Sequence, residues 1–83
     1  MKVGLYCIYD KIAQESGPVF QAKNDDVAVR ATCSLLSDTV SIDDYILYRI
    51  AGFDSDNHII DDCDVKVVDY EIVYLSQKET LED

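Results

Sequence analysis

Basic residues are scarce in this chain. Seven Lys and Arg stand against seventeen Asp and Glu among 83 residues, a net charge of −10. Such a balance favours solubility and opposes tight, non-specific binding to a phosphate backbone, which draws on clustered cations. Tryptophan is absent and His58 is the only histidine. The three glycines are dispersed, which excludes a glycine-rich phosphate loop. The three cysteines, Cys7, Cys33 and Cys63, are odd in number and far apart. They make neither a disulfide framework nor a zinc pattern. Each sits among apolar neighbours, as small buried thiols in a reducing compartment do. No apolar run approaches the roughly 20 residues needed to span a bilayer. The short apolar run after Met1-Lys2 is broken by Asp10 and Lys11, so no signal peptide is expected.

What the chain does have is apolar content, 48% of its residues. That supports one small domain over residues 1–75, with 76–83 as a flexible acidic tail. So short a chain buries only about 60–65% of the surface it exposes when unfolded, and a homodimer would extend its core.

The segment KVGLYCIYD is apolar on both alternating sets, Val3/Leu5/Cys7/Tyr9 and Gly4/Tyr6/Ile8. This is the pattern of a central strand covered on both faces. KIAQESG reads as a polar connection ending at Gly17-Pro18. VFQAK reads as a second strand entered at Val19, with Phe20 and Ala22 on one face. Asn24 is an N-cap and Asp25 and Asp26 favour the first turn of a helix that runs to Ser37-Asp38. Its apolar stripe is read as Val27, Ala28, Ala31 and Leu35, with Cys33 or Leu36. YILYRIAGF forms a strand in which Ile46/Tyr48/Ile50 alternate with Tyr45/Leu47/Arg49/Ala51. Arg49 is placed on the less buried face, and Gly52 marks a bulge or a close backbone approach. DSDN is turn chemistry and HIIDD the returning strand. Residues 63–75 read as a further strand or a sheet edge. The order predicts an α+β fold: an antiparallel sheet of four or five strands with one helix packed on one face. No internal repeat is visible.

YCIYDKIA, GPVFQAKNDDVAVRA and DDYILYRIAGFDSDNHI follow one another at gaps that resemble the small nonstructural protein of the gokushoviruses, phages with single-stranded circular DNA. The likeness covers residues 1–62. Three positions depart from the family pattern. Val19 separates Pro18 from Phe20, and Ala51 separates Ile50 from Gly52. Thr32 stands where an aromatic often follows the helix Arg-Ala, which implies filling from Phe53 or Leu35. The resemblance implies a nonstructural accessory protein of the host bacterial cytoplasm, acting in genome replication or packaging and binding single-stranded DNA or a replication protein. It brings no active site and no cofactor.

Candidate sites follow from residue types. DSDNH opens like a calcium loop, but the sixth and twelfth positions hold Ile59 and Val65 instead of Gly and Glu. Asp61, Asp62 and Asp64 read as a solvated acidic edge. A nucleophile pair would have to join His58 to a buried thiol, so no enzyme is expected. For DNA, the candidates are the cations Lys11, Lys23, Arg30 and Arg49, with Tyr6 and Tyr48 as stacking platforms among the strand tyrosines. That reading requires the cations to be segregated from carboxylates, which otherwise oppose a phosphate chain within a Debye length of about 8–10 Å. The alternative is an acidic module that binds a basic partner and mimics DNA charge.

Overall fold

The computed structural model describes residues 1–36 and 42–70. Two long strands, β1 (Lys2–Asp10) and β4 (Tyr45–Asp54), pair antiparallel along their whole length at the centre of a sheet. The outer edge of β1 carries two short strands, β2 (Glu15–Ser16) and β3 (Phe20–Ala22). The outer edge of β4 carries two more, β5 (Ile59–Asp61) and β6 (Lys66–Val68). One helix, α1 (Asp25–Leu35), lies on one face, and a 3₁₀ turn at Ile42–Asp44 leads into β4. The expected α+β architecture is present. Among the described residues its sheet has six strands because the expected polar connection contributes β2 and because Lys66–Val68 does pair, as β6. The acidic tail expected at 76–83 lies outside the described residues, as does the helix end expected at Ser37-Asp38. Within the described residues α1 closes at Leu36, whose N–H donates to the Thr32 carbonyl.

The two halves of the sheet repeat one construction, which the sequence does not display. Each long strand ends in an aspartate whose Oδ1 accepts from backbone N–H groups two and three residues on. Asp10 takes Ile12 and Ala13 at 3.0 and 3.1 Å, and Asp54 takes Asp56 and Asn57 at 3.0 and 3.3 Å. Four residues along, Gln14 (φ 58°) and His58 (φ 61°) adopt the left-handed conformation that turns the chain back. The residue after each aspartate donates to the carbonyl just before the partner strand, Lys11 to Asp44 at 2.8 Å and Ser55 to Met1 at 2.9 Å. The expected turn chemistry of DSDN is therefore present, and DKIAQ does the same.

The core lies between the sheet and α1. It joins Tyr6, Ala22, Ala28, Val29, Cys33, Leu36, Leu47 and Tyr70. Asn24 caps the helix as expected, its Oδ1 accepting the Val27 N–H at 3.0 Å. The buried stripe is Ala28, Val29, Thr32 and Cys33, rotated from the expected one; Val27 and Leu35 are exposed. Thr32 enters the stripe because its hydroxyl donates to the Ala28 carbonyl at 2.8 Å, leaving no unpaired polar group. Neither Leu35 nor Phe53 fills the place of the missing aromatic. Phe53 pairs with Val3 and Ile60 on the opposite face, and Leu36 and Tyr70 join the core instead. Val19 is exposed rather than a strand entry, and Cys63 is exposed while Cys7 and Cys33 are buried. Among the described residues no helix is long and apolar enough to cross a membrane.

A bulge sets which side chains share a face. Leu5 pairs with Ala51 and Tyr6 with Arg49, so the register slips by one residue at Ile50. Gly52 and Arg49 therefore both lie on the helix-bearing side, although their positions in β4 have opposite parity. Arg49 was expected on the less buried face. It shares the side of Tyr6 and Leu47, at the open end of the core.

Candidate functional site

Gly4 and Gly52 face each other across the central strand pair, beneath the first turn of α1. Both line an open cleft of about 460 Å³, and the space that a side chain would take at each is filled by a neighbour. A Cβ on Gly4 would come within 2.6 Å of the Tyr6 ring, which folds back over it. A Cβ on Gly52 would come within 2.7 Å of Asp61 Oδ1. The close approach expected at Gly52 is thus present, while the bulge itself sits at Ile50.

The cleft wall alternates in charge. Lys2 Nζ donates to Asp61 Oδ2 at 2.5 Å, and the Asp61 carboxylate raises the lysine pKa. Asp61 Oδ1 is buried without a hydrogen-bond partner. Arg49 Nη1 lies 3.6 Å from Asp62, with its side chain 21% exposed. Tyr6 donates to Asp25 Oδ1 at 2.6 Å. Burial first, then the bond to Asp25 and its charge, push the Tyr6 pKa up to about 12. The phenol is therefore a neutral donor near neutrality, not a base. Lys23 and Asp26 complete the rim.

The sequence-derived candidates do not converge. Lys23 and Arg49 meet in this cleft, with Asp25, Asp26, Asp61 and Asp62 between and around them. Lys11 lines a second groove of about 400 Å³, together with Asp43 and Asp69. Arg30 is exposed on α1, one turn after Asp26, where acid and base are helix neighbours. Tyr6 is 1% exposed, stacked on Phe20 at 5.8 Å between ring centres, so it has no free face for a base. Its place in the core follows from the apolar pattern of β1. Tyr48 is half-buried on the other side of the sheet, where its ring meets Tyr9 edge-on at 6.5 Å. Lys2 was not singled out in the sequence; its partner is Asp61, distant in sequence, and only the register Gly4–Gly52–Asp61 joins them. The acids read as one edge have separate contacts: Asp61 holds Lys2, Asp62 faces Arg49, and the Asp64 N–H donates to the Asp62 carbonyl at 2.8 Å.

The fold and cleft define a small antiparallel α+β protein with a surface site of mixed charge, three cations against four carboxylates. The family model described as Phage ORF5 protein matches residues 3–76, and the chain belongs to this family of phage proteins. No curated protein and no solved structure matches it.

Proposed function

We propose that this phage protein is a non-enzymatic accessory factor of the gokushovirus kind that its motifs resemble, serving single-stranded DNA replication or packaging by engaging a basic protein partner through its acidic surface. The observation that carries this reading is the interleaving of charge in the cleft. Lys2, Lys23 and Arg49 share it with Asp25, Asp26, Asp61 and Asp62. A phosphate chain laid there would meet a carboxylate beside each cation, well inside a Debye length of about 8 Å. A basic segment of a partner protein is instead drawn in by the chain's −10 charge and by the one-carboxylate excess of the cleft.

Anisotropy of a labelled single-stranded oligonucleotide, measured over a salt series, tests the proposal. The unaltered chain is expected not to bind at low salt, and to gain binding when Asp25, Asp26 and Asp62 are changed to Lys. A basic protein of the same phage is expected to bind the unaltered chain and to release it as salt rises. Oligonucleotide binding by the unaltered chain, weakening steeply with salt, would place DNA itself on this surface and displace the reading.

A further inference from the structure

The pairing registers sort the strand residues into two sets, one per face. Among the described residues every charged strand residue falls in the set that faces α1 and the cleft: Lys2, Asp10, Glu15, Arg49, Asp54, Asp61 and Lys66. Among the described residues the other face carries none. At its centre Val3, Cys7 and Ala51 are buried, and its surface is made by the half-buried Leu5, Tyr9, Tyr48 and Phe53, flanked by Ile60 and Val67, which are 57% and 68% exposed. In a chain with 29% charged residues, a sheet face without charge among the described strand residues is a marked segregation. The same face explains the double apolar pattern of β1. Its Gly4/Tyr6/Ile8 set is met by α1 and the core, while among the described residues no helix lies over its Leu5/Tyr9 set.

We infer that this uncharged face is the contact between two copies of the chain, their sheets packed face to face. Charge selects a second copy as the occupant. Two chains each carrying −10 repel wherever their acids meet, and this is the sheet face on which none do. Size agrees. The strands are 9, 2, 3, 10, 3 and 3 residues long, and at about 3.3 Å along and about 4.8 Å across per residue they give a face on the order of 500 Å². Two such faces together come to about the 1,000 Å² that a specific interface needs. The pairing leaves both acidic clefts outward, so it holds whether or not the partner proposed above is correct.

Sedimentation velocity of the full chain over a micromolar concentration series tests the inference. A species at twice the 9.4 kDa of one chain is expected. Its association should tighten as salt rises, because salt screens repulsion between two acidic chains and leaves an apolar contact intact. Ile60→Lys and Val67→Lys, both at exposed positions, should each weaken association at least about tenfold. Leu35→Lys and Ile12→Lys, 70% and 75% exposed on other surfaces, should leave it unchanged. Circular dichroism of each variant confirms that it is folded. A monomer at every concentration, as expected if this face were covered from within the chain, overturns the inference. So does a dimer indifferent to Ile60→Lys and Val67→Lys, one that loosens with salt, or one broken equally by Leu35→Lys.

Discussion

The Tyr6 hydroxyl donates a 2.6 Å hydrogen bond to Asp25 Oδ1, fastening the central strand to the first turn of the helix. Hydrogen bonds to a charged acceptor contribute about 1.5–3 kcal/mol, less where water competes. Tyr6→Phe is therefore expected to cost about 1–2 kcal/mol in urea unfolding. A double-mutant cycle with Asp25→Asn should show the two losses to be non-additive. The pH dependence has a definite sign. The folded Tyr6 titrates at about 12, above its ordinary value of 10.0, so the folded state keeps a proton that the unfolded chain loses. Its contribution is complete below the ordinary value and is lost as pH rises through the interval between the two. Tyr6→Phe should remove that part of the alkaline decline.

Two glycines should respond oppositely to alanine. At Gly4 the added methyl meets the Tyr6 ring, a packed aromatic with the core behind it. Gly4→Ala is expected to destabilise by about 1–3 kcal/mol, as overpacking does. At Gly17 the nearest atom is the Ile8 carbonyl oxygen at 3.6 Å, ordinary contact, and φ is not positive. Gly17→Ala should leave the fold unharmed or stabilise it by about 0.4–1 kcal/mol through the unfolded chain. Thermal unfolding of the two variants side by side checks the contrast.

The matched turns supply a third test. Asp54 accepts from the Asn57 side chain and from the Asn57 and Asp56 N–H groups, which lower its pKa. A depressed carboxylate stabilises above its unfolded pKa, and that contribution fades as pH falls through the folded value. Asp54→Ala should therefore destabilise near neutrality and much less in acid. Gln14→Gly and His58→Gly relieve left-handed backbone and should be neutral or stabilising by up to about 1 kcal/mol, whereas valine at either position should destabilise. Urea melts at neutral and acid pH decide both points.

Much of the fold was legible from local chemistry. The Asn24 cap, the DSDN turn, the central β1 and the Phe20/Ala22 face each depend on a few adjacent residues. What was not legible depends on tertiary contact. The helix stripe was misplaced because Thr32 counts as polar until its hydroxyl is seen to bond the Ala28 carbonyl. Arg49 was misplaced because an alternating pattern carries no sign of the slip at Ile50. The role of Tyr70 was hidden, since its hydroxyl reaches the Ile42 and Tyr45 carbonyls far back in the chain. The cleft was harder still. Gly4, Gly52 and Asp61 come from three strands, and no single segment holds the pattern that joins them.

The duplicated hairpin construction also fixes an order of events during folding. Each half closes over a four-residue turn, a local step of about 1–10 µs. Pairing β1 with β4 joins segments on either side of the helix and must first overcome the entropy of a long loop. The barrier then belongs to the docking of two preformed hairpins, as expected for topologies rich in distant contacts. Disruption of either turn's distal strand, β2 or β5, which pairs before that barrier, should slow folding with little effect on unfolding, whereas truncations at Leu47 or Ala51, on the seam, should change both rates.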